Sequence, residues 1–85
     1  VAVLLASARL AAAAADPASR FATAAAQASD GQADPALATL LAAVREGPGE
    51  GRDRARTLML DVFRLLGDDH PLTARYRKDL TRALF

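Results

Sequence analysis

The chain has one histidine and no cysteine, so His70 is the one side chain able to offer a nitrogen or sulfur ligand of the kind that zinc prefers. His70 follows Asp68 and Asp69 in an acidic turn, and all three side chains are of types that bind metal ions. Consecutive residues cannot easily point at one ion, and no second histidine or cysteine supplies a further ligand. We therefore predict no metal site and no cofactor. We expect instead a turn in which Asp68 or Asp69 caps the following helix.

Three basic residues follow this turn. Arg75, Lys78 and Arg82 are spaced three and four residues apart, which places them on one face of a helix. This face either docks onto an acidic partner surface or a phosphate backbone, or is solvated and complements the negative C-terminal end of the helix dipole. The formal net charge of +1 and the single tyrosine argue against binding to nucleic acid or to an acidic membrane.

The C-terminal part of the sequence also contains two aromatic residues, Tyr76 and Phe85. Tyr76 falls on the apolar side of the predicted helix, so we expect it in the core, with its hydroxyl at the surface or on a neighbouring carboxylate. Phe85 is a large apolar residue at the end of the sequence, where the chain frays unless it is docked. It therefore packs on the fourth predicted helix or is presented to a partner. Arg75, Lys78, Arg82 and Phe85 are the candidate protein-binding residues.

No catalytic arrangement is present in the sequence. The acidic residues are scattered, and no pair shares an apolar setting that would suit general acid–base catalysis. The glycine-rich segment GPGEG at 47–51 lacks the Lys and the Ser or Thr of a phosphate-binding loop, so we interpret it as a linker. We predict no catalytic residues and no enzyme activity.

The elements that position these residues are predicted to be helices. The chain is rich in alanine and poor in β-branched residues, which favours an all-α fold. Asp residues beside or close to a proline mark three helix starts, and glycine-containing turns mark the stops. The predicted helices cover about 1–14, 17–29, 35–46, 52–66 and 71–84. We expect one helical domain over 1–85, the C-terminal fragment of a longer protein, since the sequence lacks an initiating Met.

Apolar periodicity defines the faces of these helices. The first helix is interrupted by Arg9 and is too short to cross a bilayer, so we expect an alanine-rich helix buried in the fold. The third helix has one apolar face: Leu37, Leu40, Leu41 and Val44. The fourth has two adjacent apolar stripes, which predicts contacts on two sides and a central position.

One segment fits a tetratricopeptide-type unit, a pair of helices that pack through small residues. Ala24, Gly31, Ala36, Leu40 and Ala43 fall at intervals of seven, five, four and three residues. In this repeat, small residues let the paired helices touch, glycine turns the corner, and the large residue fills the gap. The sequence therefore predicts about five antiparallel helices in tetratricopeptide-like hairpins, an α-α superhelix. Because the loops are short, we expect each helix to pack on the next.

The second half resembles the C-terminal end of thioredoxin-fused tetratricopeptide proteins of bacteria, the chaperedoxin family of co-chaperones. The matching elements, in order, are Phe63, Leu65-Leu66-Gly67-Asp68, Asp69-His70, Pro71-Leu72, Arg75-Tyr76-Arg77 and Leu84-Phe85. With the preceding repeat, the resemblance covers 17–85. It implies a helical module that follows an N-terminal thioredoxin-fold domain, and it places any redox chemistry in that other domain.

Two functions follow from this interpretation. The resemblance implies a cytoplasmic interaction module that binds the chaperonin or other chaperones, or non-native client proteins, without nucleic-acid or membrane binding. The alternative is a structural role, in which the domain serves helical packing or forms a homo-oligomer through the apolar residues of Val1–Leu10.

Overall fold

The computed structural model describes residues 2–16 and 21–84, with side chains from residue 4 onward. These residues form five α-helices and no strand, as predicted from the composition. The helices are α1 (Ala2–Ala15), α2 (Ala22–Ser29), α3 (Ala33–Arg45), α4 (Glu50–Leu66) and α5 (Pro71–Leu84). The predicted start of the second helix at 17 lies outside the described residues.

The first four helices form a closed ring of contacts. Each of them packs on the next in the chain, and α1 also packs on α4, which closes the ring. Helix α5 packs mainly on α3 and less on α4. Each helix therefore neighbours the next, as predicted, and α5 in addition packs on α3. None of the described helices is long and apolar enough to span a membrane.

Most of the buried apolar residues of the core lie on α3 and α4, as their periodicity predicts. All four predicted core residues of α3 are buried, and so are Met59, Val62 and Phe63 of α4. Helix α4 contacts α1, α3 and α5, and α3 contacts α2, α4 and α5. The central position predicted for α4 is therefore shared with α3.

The tetratricopeptide spacing corresponds to real packing positions. Ala24, Ala36 and Leu40 have no exposed surface, and Ala43 is buried as well. Gly31 lies in the turn between α2 and α3 with a φ of 86°, a left-handed conformation that glycine adopts without steric cost. The small residues of the pattern are thus buried on two helices that pack together, as the pattern predicts.

Two predicted helix starts were too late. Helix α3 begins at Ala33, so Asp34 and Pro35 lie in its first turn and Asp34 is not the cap. Proline is tolerated there because a first-turn N–H has no partner within the helix. Helix α4 begins at Glu50, inside the segment that we interpreted as a linker. An acidic residue in the first turn favours this earlier start, because it interacts with the positive end of the helix dipole.

Helix α1 forms as predicted, but the expectation that it is buried is wrong for most of its described side chains. Ala6, Leu10 and Ala13 are buried, spaced four and three residues apart on one stripe. Leu4 and Leu5, by contrast, are 74% and 52% exposed. Among the described residues α1 packs mainly on α2 and α4, so the opposite side of the helix is exposed to solvent.

Candidate protein-interaction surfaces

Helix α5 is fixed to the rest of the fold by one face. Thr73, Tyr76 and Leu80 of α5 are buried, at the helical spacing of three and four residues. Leu72 and Leu84 are half-buried beside them. The helix is therefore held in a defined orientation, and the residues on its other sides are presented to solvent.

Tyr76 forms the polar contact between α5 and α3. Its hydroxyl donates a hydrogen bond to Oδ1 of Asp34 and lies 3.4 Å from the backbone oxygen of the same residue. Burial of the phenol raises the pKa of Tyr76 above its ordinary value of 10.0, and the hydrogen bond to Asp34 raises it further. The prediction that Tyr76 lies in the core with its hydroxyl on a neighbouring carboxylate is confirmed.

The turn before α5 differs from its prediction. The backbone N–H of Leu72 donates to Nδ1 of His70 at 3.1 Å, so His70, rather than Asp68 or Asp69, provides the side-chain cap. Asp68 instead accepts a hydrogen bond from Nη2 of Arg77 at 3.1 Å. Within the described parts of the chain, no group of three or more His, Cys, Asp or Glu side chains is placed to hold a metal ion.

The structure separates the predicted basic face into two parts. Arg75, Lys78 and Arg82 are all exposed. Lys78 and Arg82 line a shallow depression of about 500 Å³ together with Arg77, which is not part of the predicted basic face. Arg75 lies outside this depression, with its guanidinium 5.2 Å from the centre of the Tyr76 ring. The fourth candidate, Phe85, lies outside the described residues.

Arg77 supports the basic depression. Its guanidinium is 5.6 Å from the centre of the Phe63 ring and is paired with Asp68. This contact fixes one positive charge against the end of α4. Arg82 approaches Asp79 at 3.9 Å, a weak pairing because its side chain is 80% exposed. Lys78 and Arg82 are therefore the residues of this depression best placed to meet a partner.

A second polar site lies between α1 and α4. Asp61 is completely buried in the middle of α4, and its Oδ1 accepts hydrogen bonds from Nη1 of Arg9 at 3.0 Å and from Nη1 of Arg64 at 3.1 Å. The two arginine side chains are about half exposed. Arg9 belongs to α1, so this ion pair joins the first helix to the fourth across 52 residues of sequence.

The same carboxylate lines a cleft of about 800 Å³ between α1 and α4. Ala12, Ala13 and Leu58 contribute apolar surface to this cleft. Its acidic lining residues are Asp16, Glu50, Asp53 and Asp61, and its basic ones are Arg9 and Arg54. We refer to it as the α1–α4 cleft; acidic groups outnumber basic groups along it.

Sequence reasoning missed both Arg9 and Asp61 as a site. In the sequence Arg9 stands out only as an interruption of an apolar segment, and no motif singles out Asp61. The available signal was the run Met59-Leu60-Asp61-Val62-Phe63, in which one carboxylate stands between large apolar residues. A charge at such a position is expected to be paired, because an isolated buried carboxylate is strongly destabilising.

The packing positions of the helix pairs agree with a comparison against protein families. The family model for the tetratricopeptide repeat matches residues 3–85, nearly the whole chain. No curated protein and no solved structure matches the chain at a significant level. With five helices, small residues at the predicted contacts of α2 and α3, and a family match of this extent, the chain belongs to the tetratricopeptide repeat family.

Proposed function

We propose that this domain is a protein-interaction module of a thioredoxin-like co-chaperone, with α5 as its docking surface. Tetratricopeptide repeats generally mediate protein–protein interaction, which supports the general role. The finer role rests on the resemblance of the segment 63–85 to the chaperedoxin family. The proposed partners are the chaperonin, other chaperones, or non-native clients. The domain itself is proposed to have no enzyme activity, and cytoplasmic location belongs to the same proposal.

The main support for the proposal is that α5 exposes several positive charges to solvent. The helix contains four basic residues and one acidic residue. Arg75, Lys78 and Arg82 are exposed, while the opposite face is anchored by buried residues such as Tyr76. A rigid helix that presents several cations suits an acidic partner surface, because complementary charge accelerates association and selects partners. Phe85 is proposed to add an apolar contact.

The test is direct binding to purified chaperonin and to a chemically unfolded client, measured by surface plasmon resonance. We expect the triple variant Arg75→Gln, Lys78→Gln, Arg82→Gln to bind about tenfold more weakly, which corresponds to about 1.4 kcal/mol. The wild-type affinity should fall with added salt, because exposed charge pairs are screened.

The matched control removes the same number of charges from exposed positions on other helices. Arg45→Gln, Arg54→Gln and Arg56→Gln lie on α3 and α4. This variant should retain wild-type affinity. If both triple variants bind equally weakly, the effect comes from net charge and not from α5. If the wild-type chain binds neither chaperonin nor client, the co-chaperone role is refuted.

A second function is favoured by the exposure of Leu4 and Leu5. These neighbouring large apolar residues of α1 are 74% and 52% exposed, and exposed apolar surface is where another protein surface packs most favourably. This supports the alternative of a packing or homo-oligomerisation domain that uses α1. Light scattering over a concentration series tests it: the double variant Leu4→Ser, Leu5→Ser should be monomeric where the wild type is oligomeric. A monomeric wild type at all concentrations would exclude this function.

A further inference from the structure

The basic depression on α5 has small residues between its cations. Ala74 and Thr81 line it, are both exposed, and lie two helical turns apart on one stripe of the helix. The hydroxyl of Thr81 donates a hydrogen bond to the backbone oxygen of Arg77 at 3.0 Å. Because this hydroxyl already has a partner within α5, covering the stripe leaves no donor unsatisfied. Ala74 and Thr81 therefore offer a low, mainly apolar surface to a partner.

The cations on the two sides of this stripe are not equivalent. Arg77 follows Ala74 by three residues and Lys78 follows it by four, which places them on opposite sides. On the first side the guanidinium of Arg77 is paired with Asp68, whose side chain is 85% exposed. A partner carboxylate there would meet an arginine that is already neutralised and a second negative charge. The first side therefore disfavours an acidic group.

The second side carries two cations that are available to a partner. Lys78 and Arg82 are exposed and lie one helical turn apart. The contact of Arg82 with Asp79 is long, at 3.9 Å, so a better-placed carboxylate can replace it. Two carboxylates on a partner helix repeat at the same interval when they are four residues apart, and can then meet both cations together. Opposite charges beside the seam of two packed helices select the partner in this way.

A helix suits this surface better than a phosphate group does. A phosphate is held by several donors that converge on one point. Here Arg77 is separated from Lys78 and Arg82 by the stripe, and the hydroxyl of Thr81 is directed to the backbone. Small side chains, by contrast, allow a second helix to approach closely, because the distance between packed helices depends on the side chains at the contact.

We propose that α5 binds an amphipathic helix of a partner protein. Apolar residues of that helix pack over Ala74 and Thr81, and two carboxylates four residues apart on one edge pair with Lys78 and Arg82. The other edge, beside the pair of Asp68 and Arg77, carries no charge. The inference rests on the proposed function in one respect, the use of α5 as the docking surface, and it names the partner's chemistry there.

The experiment measures binding of blocked, alanine-based helical peptides of about 20 residues, long enough to be helical in isolation. Each has one leucine stripe. The same-edge peptide carries two Glu four residues apart on one side of that stripe. The split-edge peptide carries one Glu on each side, and a third peptide has Gln at both positions. A flexible glycine–serine peptide with one phosphoserine is the fourth probe, and circular dichroism checks that the helicity of the first three is equal.

The wild-type chain should bind the same-edge peptide about fivefold more tightly than the Gln peptide, as two exposed ion pairs allow. The split-edge peptide should gain much less, although its composition and net charge are the same. Amide resonances of Ala74 and Thr81 should shift on binding, and added salt should reduce the preference.

Variants locate the contact on α5. The double variant Lys78→Gln, Arg82→Gln should lose the preference for the same-edge peptide. Its control, Arg45→Gln with Arg56→Gln, removes two exposed charges from α3 and α4 and should retain it. Thr81→Val keeps the shape of the side chain without its hydroxyl, and should bind the same-edge peptide within about twofold of the wild type.

Three results would overturn the proposal: equal affinity for the same-edge and split-edge peptides, tighter binding of the phosphoserine peptide, or loss of binding in Thr81→Val, which indicates an anion held through the hydroxyl. The outcome for the proposed function is separate. A chain that binds the same-edge peptide but neither chaperonin nor client refutes the co-chaperone role alone. Chaperonin binding that is lost in the triple variant of α5, together with equal peptide affinities, refutes the acidic helix alone.

Discussion

The contact between Tyr76 and Asp34 predicts how much folding stability is lost when the tyrosine hydroxyl is removed. Tyr76→Phe keeps the buried ring and removes only the hydroxyl that donates to Asp34. A hydrogen bond to a charged group contributes about 1.5–3 kcal/mol, and the exposure of Asp34 places this one at the lower end, near 1.5 kcal/mol. For a domain of this length, such a loss lowers the melting temperature by about 6–12 °C. Calorimetry or circular dichroism measures it.

The same contact can be observed spectroscopically, because the chain has one tyrosine and no tryptophan. The near-ultraviolet absorbance of tyrosinate therefore reports the ionisation of Tyr76 alone. We expect a pKa above the ordinary 10.0, raised first by burial and then by Asp34. Asp34→Asn should lower the pKa of Tyr76 relative to the wild type, whereas Asp30→Asn, in the turn before α3, should leave it unchanged.

The sign of the pH effect on stability follows from this shift. The folded chain holds the phenol proton more tightly than the unfolded chain, so the stabilisation is complete below pH 10 and is lost as the pH rises through the raised pKa of Tyr76. The stability difference between wild type and Tyr76→Phe should therefore shrink in that alkaline range. A normal tyrosine pKa, or a Tyr76→Phe variant as stable as the wild type, would refute the contact.

Three further predictions concern other parts of the fold. Arg9→Met should cost about 1–3 kcal/mol in urea unfolding, because one of the two partners of buried Asp61 is lost; a loss below about 0.5 kcal/mol would contradict the α1–α4 ion pair. His70→Ala should cost about 0.5–1 kcal/mol by removing the acceptor for the Leu72 N–H, with faster amide exchange there. Ala36→Leu should cost about 1–3 kcal/mol by overpacking a fully buried contact, and unchanged stability would show that α2 and α3 have room to separate.

The helices could be predicted largely from local sequence because their faces are periodic. The buried residues of α3 and α4 and the extent of α5 follow from apolar spacing, proline and glycine. The roles of the aspartates could not be predicted in this way. Asp34 and Asp68 resemble helix caps in sequence, yet the structure pairs them with Tyr76 and Arg77.

The physical reason is that a carboxylate near a helix start has two kinds of available donor. A cap uses a backbone N–H within the same turn, which sequence spacing reveals. A hydroxyl or guanidinium donor from another helix competes for the same oxygen, and its position depends on how the helices cross. His70 directly precedes the first residue of α5 and provides the cap, whereas Asp68 pairs with Arg77.

The two candidate surfaces, on α5 and in the α1–α4 cleft, differ in how far local sequence predicts them. The exposure of Arg75, Lys78 and Arg82 follows from their spacing on α5, because the opposite side of the helix is apolar. The α1–α4 cleft depends on Arg9 meeting Asp61 across 52 residues, a contact that only the closed ring of helices brings about. Local periodicity cannot predict such a pair. The isolated charge of Asp61 in an apolar run does indicate that this residue needs a partner.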